Sequence, residues 1–174
     1  MIADRFEPQG PVTSGVAVKA LDRATAQTVL LTDVADLDRR LVGIFHPSLS
    51  AIFAIVEHEG RTLAASESVQ AKSLGELFGD VPCSPRRAAE IVSEISDGVA
   101  ELHARDIYHG GIDPASCMLT SKGKAKLSLT AAAGGDEHAD VQALKLLLCT
   151  IGGQLTPDAA GAQSAAVFAA ALRS

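Results

Sequence analysis

The sequence predicts an α+β fold in two parts, a small, mostly antiparallel sheet with one helix over residues 1–70 and a mainly helical part over 71–174. Three observations predict it. Short β-branched and aliphatic runs divided by polar turn residues fill the first part. The second part opens on two capped helix starts, Ser73 to Glu76 and Ser84-Pro85. After them, Ile91, Ile95, Val99 and Leu102 repeat with the period of one apolar helix face.

Each element follows in order. Ser14 to Leu21 is strand-like, Asp22 to Ala26 is a polar turn, and Thr28 to Leu31 is a second short strand. Asp33 to Val42 is the one helix expected here, with Leu37 and Leu41 four apart. Ala51 to Val56 and Thr62 to Val69 flank Glu59-Gly60, which predicts a hairpin. The Ser73 and Ser84 helices come next; Gly98 weakens the second only slightly. Cys117 to Thr120 and Ala125 to Leu129 flank Ser121-Lys122-Gly123 as another hairpin. Val141 to Ile151 reads as a buried helix, and Thr156-Pro157-Asp158 opens a final helix with Val167, Phe168 and Leu172 inward.

Composition narrows the function. The chain has 174 residues, 47% hydrophobic and 21% charged, which is globular rather than disordered. A net charge of -6 with no long basic run argues against nucleic acid as a partner. Cys83, Cys117 and Cys149 are odd in number and widely spaced, so they read as free thiols in a reducing compartment. No apolar run reaches membrane-spanning length, and Met1 to Gly10 does not read as a signal peptide. The expected location is the cytoplasm or the cytoplasmic face of a membrane protein. Asp136, Glu137, His138 and Asp140 read as a flexible acidic turn beside Gly134-Gly135, not as a metal site.

The segment Leu102 to Leu129, LHARDIYHGGIDPASCMLTSKGKAKLSL, resembles the catalytic loop of a bacterial Ser/Thr protein kinase and the two strands that follow it. His109, Ile112, Pro114 and Leu119 fall in register. Ser68 to Leu77 resembles the hinge and the helix after it, with Ser66 and Glu67 at the gatekeeper and first hinge positions. His46-Pro47 resembles the pair that follows helix C. Gly10-x-x-x-x-Gly15-x-Ala17 resembles the Gly-rich loop with Val12 in place of its middle glycine. Asp140 to Leu144 resembles the start of the buried helix F.

The resemblance implies a two-lobed kinase-like fold, with an N-lobe over 1–70 and a shortened C-lobe over 71–174. It also implies that the chemistry is gone. The strand lysine falls on Thr32, the catalytic aspartate on Gly111, the loop lysine on Asp113, the metal-binding asparagine on Ser116, and the D-F-G motif on Leu129-Thr130-Ala131. Phosphoryl transfer needs these groups to hold phosphates, metal and the attacking hydroxyl. His109 and Asp140 remain, as structural supports of the loop.

What the resemblance implies is therefore a pseudokinase with no catalytic residue, metal or cofactor, acting as a regulatory or scaffolding module. Bacteria carry such domains on larger envelope proteins, including a lipid II flippase. The implied partners are an active Ser/Thr kinase, a forkhead-associated domain that reads a phosphate on Thr130 or Thr156, and a second copy of the chain. The alternative is a metal-independent nucleotide sensor, with Lys19 and Glu67 as its cofactor-binding residues.

Overall fold

The computed structural model describes residues 1–13 and 16–174. Gly15 and Ser14, at the end of the proposed Gly-rich loop and the start of the expected strand, lie outside the described residues. The architecture is α+β, with a five-stranded antiparallel sheet, a second small sheet and a helical lobe.

The first sheet is built from β1 (Phe6–Pro8), β2 (Val18–Asp22), β3 (Gln27–Asp33), β5 (Ile52–His58) and β6 (Arg61–Glu67), in the order β1-β2-β3-β6-β5. The β5–β6 turn is the one expected. Glu59 and Gly60 both take positive φ, +50° and +75°, which is the backbone that joins two twisted strands through two residues. The β2–β3 turn is fixed by Asp22, whose carboxylate accepts from Ala24 N–H and from the Thr25 hydroxyl, each at 3.0 Å. The sheet has two distinct faces. Val29, Leu31, Leu63 and Ala65 pack outward with Ile2 and Phe6 in a small cluster. Ile52 and Ala64 face the main core.

In place of the helix expected over 33–42, β3 runs to Asp33 and only a single 3-10 turn forms, Arg39–Leu41. Asp38 accepts from Arg40 N–H at 2.9 Å, and such short-range bonds compete with an α-helical ladder. Gly43 at φ +80° and then Pro47 prevent extension. Leu41 and Ile44 still bury, so the core contact survives without the helix.

The second sheet takes β4 (Leu49–Ser50), β9 (Ala125–Ser128), β8 (Cys117–Thr120) and β7 (Ala71–Ser73), in that order. Helix α1 (Leu74–Phe78) begins with the predicted capping box: Ser73 Oγ accepts from Glu76 N–H at 3.1 Å, and Glu76 accepts from Ser73 N–H at 2.8 Å. Helix α2 (Pro85–His103) buries Ile91, Ile95, Val99 and Leu102, the whole predicted stripe. Helix α3 (Glu137–Thr150) is capped by Asp136 and buries Leu144, Leu147 and Leu148 within the chain's own core.

The last helix is divided. The segment forms α4 (Pro157–Gly161), a break, and α5 (Ala165–Arg173) with Ser164 as its own cap. The buried Lys145 ammonium of α3 explains the break, because it donates to Ala160 O at 2.8 Å and Ala162 O at 2.9 Å. Those carbonyls are thereby satisfied outside a helix. Phe168 is buried as expected and Leu172 half-buried, but Val167 is 55% exposed, because the new cap resets which face of α5 points inward.

Candidate functional site: a braced loop under a backbone strap

The loop between α2 and β8 is held from inside by Asp140, the fourth residue of α3. Its carboxylate accepts from His109 N–H at 2.8 Å and Gly110 N–H at 2.8 Å, and bonds His103 Nε2 at 2.8 Å. Asp140 is fully buried. Burial alone would raise its pKa, but the His103 bond and the two backbone donors outweigh it and hold the carboxyl below its usual range.

His109 is also fully buried. Its Nε2 lies 2.9 Å from Ser128 O, and its Nδ1 lies 3.1 Å from Gly111 N. A carbonyl can only accept and an amide can only donate, so the ring is neutral with its proton on Nε2. Burial pushes its pKa down, in agreement with a neutral ring. The imidazole thus ties the loop to the end of β9.

Above this support the loop has glycine at 110 and 111. Gly110 sits at φ +67°, and a Cβ there would overlap Gly134 O. A Cβ on Gly111 would overlap Ala131 O. The segment 131–134 lies directly on the two glycines, held by Ala133 N–H and Gly134 N–H donating to His109 O at 2.6 and 3.1 Å. Asp113 closes its own turn: its Oδ1 accepts from Ala115 N–H at 2.8 Å and Ser116 N–H at 2.7 Å. The Ser116 hydroxyl donates to Asp113 O at 3.1 Å. Leu129 is fully buried at the start of a 3-10 turn, Leu129–Ala131.

The remaining residues are scattered. Thr32 on β3 is half-buried opposite Ala64. Lys19 pairs with Leu30, which pairs with Ser66, so all three share the face turned to the main core; Lys19 is exposed. Glu67 pairs with Val29 on the opposite face, where its carboxylate bonds Lys126 Nζ at 2.9 Å. The Lys19 and Glu67 side chains therefore cannot meet around one ligand, because adjacent residues of a strand point to opposite sides. Thr130, expected on an exposed loop, is half-buried in the 3-10 turn, with its hydroxyl 2.9 Å from that of Ser128. Thr156 is exposed and caps α4 by accepting from Ala159 N–H.

Sequence reasoning missed His103. It is half-buried at the end of α2, with its ring 5.4 Å from that of Tyr108. A histidine in the last turn of a helix is ordinary in sequence, and only the fold reveals its bond to Asp140.

A solved structure with a similar fold is the PknI kinase domain of Mycobacterium tuberculosis, which superposes with a TM-score of 0.77 over 99% of this chain and 96% of that one, at 17% identity. The fold is kinase-like. Sequence relatives agree with that assignment. CBL-interacting serine/threonine-protein kinase 21 of Arabidopsis thaliana is 27% identical over 65% of this chain and 27% of its own length. A probable serine/threonine-protein kinase of Corynebacterium efficiens is 27% identical over 73% of this chain and 23% of its own. The chain spans about a quarter of the length of these curated relatives. No family model matches the sequence. No helix among the described residues is long and apolar enough to cross a membrane.

Proposed function

We propose that this kinase-like chain is a pseudokinase, a regulatory or scaffolding module that binds proteins and does not transfer phosphate. The observation that carries the reading is the strap over the loop. The backbone of 131–134 occupies the space into which side chains at 110 and 111 would project. A general base must reach the hydroxyl it deprotonates, and neither glycine offers one. Asp113 and the buried Leu129 leave neither a phosphate-binding cation nor a metal ligand at their positions.

The test is a radiolabelled phosphotransfer assay with ATP, magnesium and a generic protein substrate. No label above buffer is expected in substrate or chain; steady incorporation would end this reading. The partner class follows from the same reading. An active Ser/Thr kinase is the expected modifier, and a forkhead-associated domain the reader of the phosphate. Thr156 is the better acceptor of the two threonines, being exposed in a connecting segment. Mass spectrometry after incubation with such a kinase should find phosphate at Thr156 before Thr130.

One observation favours a second reading, a nucleotide sensor that works without metal. Lys19 is exposed on the face it shares with Leu30 and Ser66, and it makes no ion pair among the described residues. A thermal melt with ATP or ADP, with and without magnesium, separates the two. A rise without magnesium that Lys19→Ala abolishes would favour the sensor, since a ligand stabilises the state it binds.

A further inference from the structure

The back of the first sheet carries a groove of about 470 Å³ that the reading above does not use. It lies behind the lobes' connection, on the face opposite Lys19, Leu30 and Ser66. Glu67 pairs with Val29 on that outer face, and Phe53 packs against the same outer cluster. Its walls are Phe45 and Phe53, its polar end is Lys126 and Glu67, and Gln27 stands beside them.

Three features mark the groove as built. The chain has only five phenylalanines, and two of them line this one cavity. Phe45 is 68% exposed, so its burial in the fold does not explain it. Its ring stands 6.3 Å from that of Phe53 at 35°. The second feature is a β-bulge between Ile52 and Ala54, which leaves Phe53 without a partner on β6. Bulges of this kind re-aim a side chain.

The third is the polar end. The Lys126 ammonium is mostly buried and donates to Leu49 O at 3.2 Å and to Glu67 Oε2 at 2.9 Å. An ammonium has three donors, so one is left. Among the described residues, Glu67 Oε1 has no side-chain partner either. A donor and an acceptor thus stand side by side at the end of an aromatic slot whose volume lies in the usual range for small-ligand sites.

We infer that this groove binds a free, neutral, planar heteroaromatic molecule that carries an acceptor beside a donor on one edge, as a lactam does. The ring lies against Phe45 and Phe53, its carbonyl accepts from Lys126, and its N–H donates to Glu67. Neutrality follows because the Lys126–Glu67 pair already balances its own charge. The inference does not depend on whether the loop under the strap is inactive.

The probe is quinazolin-4(3H)-one, a bicyclic lactam, titrated into the ¹⁵N-labelled chain and followed by amide shifts. Saturable shifts at millimolar probe are expected at Ala51, Phe53, Glu67 and Lys126. Quinoline, which has no N–H donor, should bind more weakly. Phe45→Ala should weaken the probe by about tenfold; because Phe45 is mostly exposed, that variant keeps its fold. Lys126→Met should weaken it by a similar factor. Shifts confined to Lys19, Leu30 and Ser66 would put the ring in the opposite cleft and overturn the assignment. So would the absence of saturation, or binding indifferent to Phe45→Ala. Binding of N-acetyltryptophanamide without binding of the lactam would mean a peptide-borne ring, and would also overturn it.

Discussion

The two sides of the 109–113 loop are built by different rules. The inner side is a closed set of hydrogen bonds: Asp140 takes three, and His109 spends both ring nitrogens. The outer side has no side chain at 110 or 111, and backbone fills the space. In this fold the support of a loop and the groups displayed on it are therefore separable. Breaking the inner side should cost the most. Asp140→Ala strands two backbone N–H groups and His103 in the interior, and a loss of about 3–5 kcal/mol is expected from urea unfolding. Asp140→Asn, which keeps one acceptor oxygen, should fall between that variant and the parent.

The outer side can be broken by adding a single carbon. Gly110→Ala must both hold φ +67° and push Gly134 O away, and about 2–3 kcal/mol of destabilisation is expected. Gly134→Ala sharpens the point. Its φ is +76°, but a Cβ there meets nothing within 4 Å, so only the backbone strain of about 1 kcal/mol remains. Equal losses at the two glycines would mean that the strap does not press on the loop.

This contrast also marks what could be read from sequence. The hairpin at Glu59-Gly60, the Ser73 capping box and the Ile91 to Leu102 stripe are local patterns, and all appear in the fold. The loop and its supports were legible because His109 and Asp140 stand at positions set by a resemblance over most of the chain. The rest depended on contacts between distant segments. Residues 131–134 meet Gly110 and Gly111 across some twenty positions, which no spacing rule anticipates. The break after α4 follows from an ammonium on α3. That Lys19 and Glu67 face apart emerges only from the register of three strands. The helix expected at 33–42 failed for a local reason, its side-chain-capped aspartate and the Gly43 turn, which a two-residue apolar spacing did not outweigh.

A third glycine tests whether close approach is confined to the strap. Gly98 lies inside α2, where alanine would ordinarily add about 1 kcal/mol of helix stability. Here its Cβ would lie 2.9 Å from Leu49 Cδ2 and 3.2 Å from Ser48 O. Leu49 is fully buried and has little room to swing. Overpacking of this kind costs about 1–3 kcal/mol, so Gly98→Ala should lose about 1 kcal/mol net by thermal or urea unfolding. A gain instead would mean that β4 can slide off the helix.

A pH-dependent effect of comparable size comes from an aspartate braced differently from Asp140. Asp22 accepts from Arg5 Nε at 2.8 Å and from its terminal nitrogen at 2.7 Å, besides the two turn bonds. The Arg5 guanidinium, aided by those bonds, lowers its pKa from 3.8 to about 2. A carboxyl whose folded pKa is depressed stabilises the fold fully above its unfolded value, and that share is lost as pH falls through the folded value. The shift corresponds to about 1–2 kcal/mol after allowance for solvent around the half-buried Arg5. The stability difference between the parent and Asp22→Asn should therefore be constant above about pH 4 and close between there and about pH 2. If the Asp22 difference stayed flat down to pH 2, its brace would be a matter of turn geometry and not of charge.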